Sequence, residues 1–579
     1  MRIRLPRFRL AMLAAVFAAV MALTIGIFPA TQAAHAEDNG VGLTPLMGWS
    51  TWNYIGRDPT AANVEAQAAA LKSSGLLAAG YNYVNIDDFY YECPGSQGPN
   101  VDAYGRWLTD PSKFPPSGST PGLEVVANYV HSLGEKIGFY VTPGISDQAV
   151  AENTPIMGTS YTASEIANGV SEHNYNCGGM QGIDYSKPGA QAFINSWADE
   201  LASWGADYVK VDGVGTGDIG DIQAWSAALA QTGRPIHLEL SNNLAISDAS
   251  TWAQYSNGWR TSGDIQCYCG SPFPLVTWSG VQSRFAQVAN WAPYGGPGAF
   301  NDYDSIALGD GPTDDGITAP EEQSMMSLWA MAASPLVIDA DLTHLNSTDL
   351  TYLKNSAVIG VDQDSIDATR IVNSGNDQVF AKTESNGDII LGLFNYSGTA
   401  STTDTVSLSS AGLHGSGTAT NLWTGASAGT VSGTYSVTLG AGAVQLLKIV
   451  PKGSTTIQAD SSGNTLAGAT AVGSCSGCAD GEKVRFIGDG AANYITINNI
   501  DEPSAGSYSL TVVYCLDGSR TFDISVNGGT GTAVALTGAS WSEPASRTMT
   551  VTLNAGENTI KFYNDSAYAP DLSEVTITG

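Results

Sequence analysis

The chain has 579 residues, 43% hydrophobic and 14% charged, which is enough apolar material for several buried cores and too much for a disordered chain. Its formal net charge is −31 with only 24 Lys plus Arg, so most of the surface repels a polyanion, which argues against nucleic acid as a partner. The 66 glycines, many in Ser/Thr-rich stretches, predict many turns and a large β content.

Arg2, Arg4, Arg7 and Arg9 precede an apolar run from Leu10 to Pro29, and Ala34-His35-Ala36 has the form of a cleavage site. Residues 1–36 therefore read as a secretory signal peptide, with a membrane anchor as the alternative. The expected protein is secreted and extracellular, starts near Glu37, and has no membrane association after signal removal. Seven cysteines fit an oxidising compartment, but an odd number leaves at least one unpaired within the chain. Cys475 and Cys478 form a C-x-x-C with no second copy, and the six histidines are unclustered, so a local bridge is expected rather than a zinc site.

From about Leu43 to Leu345, β-prone runs alternate with helical stretches. Strands are expected at Asn82–Ile86, Lys136–Val141, Asp207–Asp212 and Pro235–Leu240, and helices at Thr60–Ala79, Leu123–Leu133 and Ala190–Trp204. Repeated β-then-α units imply a parallel sheet, and about 300 residues of them suit an α/β fold of the (β/α)8 TIM-barrel type. A doubly wound sheet is the alternative, although no G-x-G-x-x-G follows the first strand. The expected catalytic barrel spans 37–368. Residues 369–450, with strands at Ile389–Asn395 and Val444–Ile449, read as an antiparallel β-sandwich domain. A short linker then leads to a C-terminal β-sandwich over 457–579, with runs such as Tyr508–Tyr514 and Thr548–Leu553.

Reactive groups of a barrel lie where its strands end. Asp87 and Asp88 close the second expected strand, Asp212 the fourth, and Asp264 follows Trp259-Arg260-Thr261-Ser262-Gly263 near the sixth. Side chains alternate along a strand, so Lys210 and Asp212 face the same way. Two carboxylates are what glycoside hydrolysis needs, and a nearby cation keeps the attacking one ionised. An isolated Lys-x-Asp is equally an ordinary solvated pair.

Several segments, in order along the chain, resemble glycoside hydrolase family 27, the α-galactosidase family. They are Met47-Gly48-Trp49-Ser50-Thr51-Trp52-Asn53, Tyr83-Val84-Asn85-Ile86-Asp87-Asp88, Gly105-Arg106-Trp107 with Phe114-Pro115, Trp204–Asp212, Trp259–Ile265, Gly296–Asp302 and Ser327–Leu336. The resemblance covers about 43–450. It implies a retaining glycosidase, first of all an α-galactosidase, in which Asp212 attacks and Asp264 serves as acid and then base, with the two carboxyls about 5 Å apart. It also implies that Asp87, Asp88, Lys210 and Arg260 bind sugar hydroxyls, that Trp49 packs on the sugar ring, and that catalysis needs no cofactor. Trp49 as barrel core is the alternative.

Departures from the family matter as well. Phe89 and Gly213-Val214 stand where cysteines are common, and a Cys93–Cys177 bridge between two rim loops is expected instead. At the fifth strand, Leu238-Glu239-Leu240-Ser241-Asn242-Asn243-Leu244 replaces the usual specificity segment. Glu239, Ser241 or Asn242 is expected to reach the sugar, which keeps isomalto-dextranase, β-L-arabinopyranosidase and α-N-acetylgalactosaminidase specificities open. An inactive carbohydrate-binding protein is the reading from another class. The C-terminal region, with Asn464–Gly468, Ser525–Gly529, Asn558–Asn564 and Tyr568–Leu572, resembles a family 35 carbohydrate-binding module. That implies a polysaccharide ligand, candidate sugar contacts at Tyr494, Trp541 and Asn564, and a structural calcium with Asp571 as a ligand.

Overall fold

The structure is a computed structural model that describes residues 39–578 apart from 96, 173, 414, 503 and 504; the expected signal peptide lies outside the described residues. Among the described residues, no helix is long and apolar enough to cross a membrane.

Eight parallel strands form the first sheet: β1 (Met47–Ser50), β2 (Tyr83–Ile86), β3 (Lys136–Val141), β4 (Tyr208–Val211), β5 (His237–Leu240), β6 (Gly258–Arg260), β7 (Phe300–Asp302) and β8 (Leu336–Ile338). They are ordered β7-β6-β5-β4-β3-β2-β1-β8. A parallel bridge from Ile306 to Ile338 joins the two ends, which closes a TIM-type barrel. The interior is narrow. A Cβ on Gly138 would lie 2.3 Å from Asn85 Oδ1, and one on Gly258 would lie 2.2 Å from Glu239 Oε2, so neighbouring side chains use the space that glycine leaves.

Outside the strands, amphipathic helices cover the barrel. Helix Gly122–Leu133 buries Leu123, Val126, Ala127 and Val130, the i, i+3, i+4, i+7 stripe of one face, and ends at Gly134 with φ +89°. The expected Thr60–Ala79 helix is instead two pieces. Thr60 caps Ala61–Ser73, and Gly75 at φ +87° breaks the chain before Leu76–Ala79.

The antiparallel β domain has a six-stranded sheet facing a two-stranded one. Strand Ile389–Asn395 is buried along its whole length because both faces are covered. Ile389, Leu391 and Leu393 enter the core between the sheets, whereas Ile390 and Phe394 join the barrel's own core beside Met331. The last β domain holds a separate core around Tyr508, Leu510, Val512, Phe522, Phe562 and Val575.

Three disulfides are formed: Cys93–Cys177, Cys267–Cys269 and Cys475–Cys478. The first and third match the sequence reading, and the buried thiol left over is Cys515.

Candidate active site

A cavity of about 960 Å³ opens at the C-terminal ends of the barrel strands. Asp87, Asp88, Lys210, Asp212, Arg260 and Asp264 all line it, so the barrel gathers six of the expected site residues from three strand ends. On β4, Val209 and Val211 are fully buried against the helices, which leaves Lys210 and Asp212 on the inner side. The Asp212 N–H donates to Val141 O at 2.9 Å, so the sheet pairing runs right up to this carboxylate. Tyr140 Oη donates to Asp212 Oδ2 at 3.1 Å.

Each carboxylate has its own partners. Lys210 Nζ pairs with Asp87 Oδ2 at 2.8 Å and lies in the fields of both Asp87 and Asp212, which raise its pKa above the usual lysine range despite burial. Burial pushes Asp87 up, and the lysine opposes that rise. Asp88 accepts hydrogen bonds from Phe89 N, Tyr91 Oη and Asn176 Nδ2, yet burial still raises it to about 6. Arg260 Nη2 bridges Asp264 Oδ1 at 3.1 Å and Asp304 Oδ2 at 2.6 Å. Burial alone would raise Asp264, but Arg260 and a hydrogen bond from Tyr268 bring it below its ordinary value.

Three sequence expectations need correction. Trp49 is fully buried, and its Nε1 donates to Ala340 O at 2.9 Å, so it fills the barrel core and does not face the cavity. Trp52, three residues on at the start of the helix that follows β1, lines the cavity instead. Of the three fifth-strand candidates, only Asn242 lines it. Glu239 sits in a small chamber of about 40 Å³ beneath, hydrogen-bonded to His237 Nε2 at 2.9 Å. Burial lifts Glu239 to about 8 and drops His237 to about 3, so this is a pair of neutral groups at neutral pH, not an ion pair. Ser241 is 1% exposed, has no hydrogen-bond partner on Oγ and does not line the cavity.

Sequence reasoning missed residues on two loops. Tyr175 and Asn176 reach the cavity from the three-stranded insertion between β3 and β4, whose Cys177 is tied to Cys93. Tyr268 lies between the bridged Cys267 and Cys269 at φ +49°, with its hydroxyl 2.5 Å from Asp264 Oδ2, and accepts a hydrogen bond from Trp52 Nε1 at 2.9 Å. The Cys-Tyr-Cys tripeptide beside Asp264 was the only signal for it.

The C-terminal domain also departs from expectation. Asp571 Oδ2 is paired with the ammonium of Lys483 at 2.8 Å, so this carboxylate does not fit a calcium ligand. Asn564 is committed to its own turn, donating to Thr521 O and accepting from Ser566 N and Ala567 N.

Comparison with known proteins agrees with this geometry. A family profile described as Alpha galactosidase A matches residues 44–157 and 166–364, and one described as Alpha galactosidase C-terminal beta sandwich domain matches 374–449. An alpha-galactosidase of Cyamopsis tetragonoloba is 30% identical over 426 residues, covering 72% of this chain and 89% of that protein. Alpha-galactosidase A of Cellvibrio japonicus is 29% identical over 370 residues, covering 62% of this chain and 78% of that protein. Among solved structures, a family 27 β-L-arabinopyranosidase of Geobacillus stearothermophilus is similar with TM-score 0.65 and 30% identity, over 71% of this chain and 97% of that one. The chain belongs to the alpha-galactosidase A family, glycoside hydrolase family 27, and is a glycosidase.

Proposed function

We propose that the chain is a retaining α-galactosidase that releases terminal α-linked galactose from oligo- or polysaccharides, with Asp212 as nucleophile and Asp264 as acid/base. The observation that carries this reading is that the two carboxylates share one cavity in different electrostatic settings: Asp212 beside Lys210 and Asp264 beside Arg260 and Tyr268. Asp212 attacks the anomeric carbon while the proton of Asp264 passes to the leaving oxygen. Asp264 then takes a proton from water, which opens the glycosyl-enzyme with net retention. Asp87, Asp88 and Lys210 hold the ring hydroxyls. Replacing either Asp212 or Asp264 with Ala is expected to abolish nitrophenol release from the nitrophenyl α-galactoside; near-wild-type turnover in either variant overturns that residue's role.

The likeness to the Geobacillus β-L-arabinopyranosidase supports a second reading, since that sugar offers the galactose ring without its C6 hydroxymethyl group. A panel of nitrophenyl α-galactoside, β-L-arabinopyranoside and α-N-acetylgalactosaminide, together with dextran, separates the specificities.

The domains are 37–368, 369–450 and 457–579 after a cleaved signal peptide at 1–36, and the disulfides support a secreted protein. The last domain serves as a carbohydrate-binding module. Its support is Trp541 under Arg520 at 4.6 Å, beside the 46% exposed Tyr568. The ring of Tyr494 carries Lys561 at 4.0 Å and that of Tyr568 carries Arg520 farther off, at 5.8 Å, so Tyr568 is the better sugar platform.

A further inference from the structure

Three fully buried carboxylates meet away from the catalytic cavity. Asp315 ends the short helix Pro312–Asp315 after β7, Glu322 lies on helix Ala319–Met331, and Asp349 lies on helix Ser347–Leu353 after β8. One oxygen from each lies within 4.8 Å of the others. Asp315 accepts hydrogen bonds from the N–H groups of Gly309, Asp310 and Gly311.

A second observation points to a ligand. Glu322 enters from its own helix at 0% exposure, and neither of its oxygens receives a hydrogen bond from an N–H or hydroxyl group; Asp349, also 0% exposed, has only the Gly311 N–H beside it apart from the other two carboxyls. Among the described residues no lysine or arginine acts on any of the three. Buried carboxylates so short of donors are costly in a dry site unless a cation or shared protons neutralise them.

We propose that Asp315, Glu322 and Asp349 form a structural site for a hard divalent cation, with calcium as the preferred ion. An all-oxygen set selects calcium or magnesium over zinc or copper. Oxygens that lie within 4.8 Å of one another can share one calcium, whose ligands stand at about 2.4 Å. Magnesium retains water and suits a fully buried protein cage less well. The ion would pin the loops after β7 and β8, which carry Asp304 and Asp339 into the catalytic cavity.

The test is calcium stoichiometry by mass spectrometry, with thermal melting, on the full chain after chelation and after dialysis against millimolar CaCl2 or MgCl2. The expected result is a Tm that rises with CaCl2 more than with MgCl2, and one calcium fewer per chain in Glu322→Gln/Asp349→Asn than in wild type. That difference separates this site from any calcium in the C-terminal domain. Should the double variant fail to fold, Asp349→Asn alone takes its place. Equal calcium content in variant and wild type overturns the site. So does a wild type that takes up no calcium, because the carboxyls then share protons.

Discussion

Tyr268→Phe is a test of how Asp264, the proposed acid/base, is tuned. The hydroxyl lies 2.5 Å from Asp264 Oδ2 and donates to it, because partial desolvation and the charge of Asp264 hold the phenol above its ordinary pKa and keep it protonated. A hydrogen bond to a charged group contributes about 1.5–3 kcal/mol, which corresponds to about 1–2 pKa units. The Asp264 side chain is 32% exposed, so the lower end applies and the expected shift is about one unit. Tyr268 favours the ionised carboxylate, so removing it raises the pKa of Asp264. Protonation of the leaving oxygen needs the acid form, which governs the alkaline limb of kcat/KM in the free enzyme. That limb is therefore expected to move up by about one pH unit in Tyr268→Phe, measured on the nitrophenyl glycoside that wild type turns over fastest. A limb that stays in place, or moves down, refutes the assignment of Tyr268 as the group positioning Asp264.

Other consequences can be measured alongside. With Asp212 as the proposed nucleophile, Asp212→Ala is expected to lower kcat by about 10⁴-fold or more, because the step that forms the glycosyl-enzyme would be lost. Lys210→Met leaves Asp87 buried without its cation and is expected to cost about 3 kcal/mol in urea unfolding. Cys93→Ser/Cys177→Ser frees the loop that places Asn176 on Asp88, so KM should rise more than kcat falls; an unchanged KM would show that the loop is held by its other contacts. In chelator, stability should decline as pH rises towards 8–9. Carboxyls raised to about 8 and 9 in the folded protein stabilise it while protonated and lose that contribution as they ionise. Added calcium should flatten the decline.

Much of the architecture was legible because it rests on local pattern. Strand runs such as Lys136–Val141 and Tyr208–Val211 carry the apolar side chains that a buried parallel sheet requires, and Lys210 with Asp212 follow from the two-residue period alone. Trp49 shows the limit of such reasoning. An aromatic residue at a strand end has the same sequence signature whether it faces a sugar or the core, and only packing against Ala340 decided for the core. Glu239 and Ser241 were misplaced because the cavity floor lies between Ser241 and Asn242, a boundary set by barrel geometry and not by residue type.

The sequence by itself determined the order of βα units, the strand-end carboxylates and the local Cys475–Cys478 bridge, because hydrophobic period, residue chemistry and close cysteine spacing are properties of short segments. The tertiary structure alone decided that Tyr268 reaches Asp264, that Lys483 neutralises Asp571, and that Asp315, Glu322 and Asp349 converge. The last two bring together separate parts of the chain, whose meeting is fixed by core packing, whereas Tyr268 lies only four residues from Asp264 and is aimed by the conformation of its own loop.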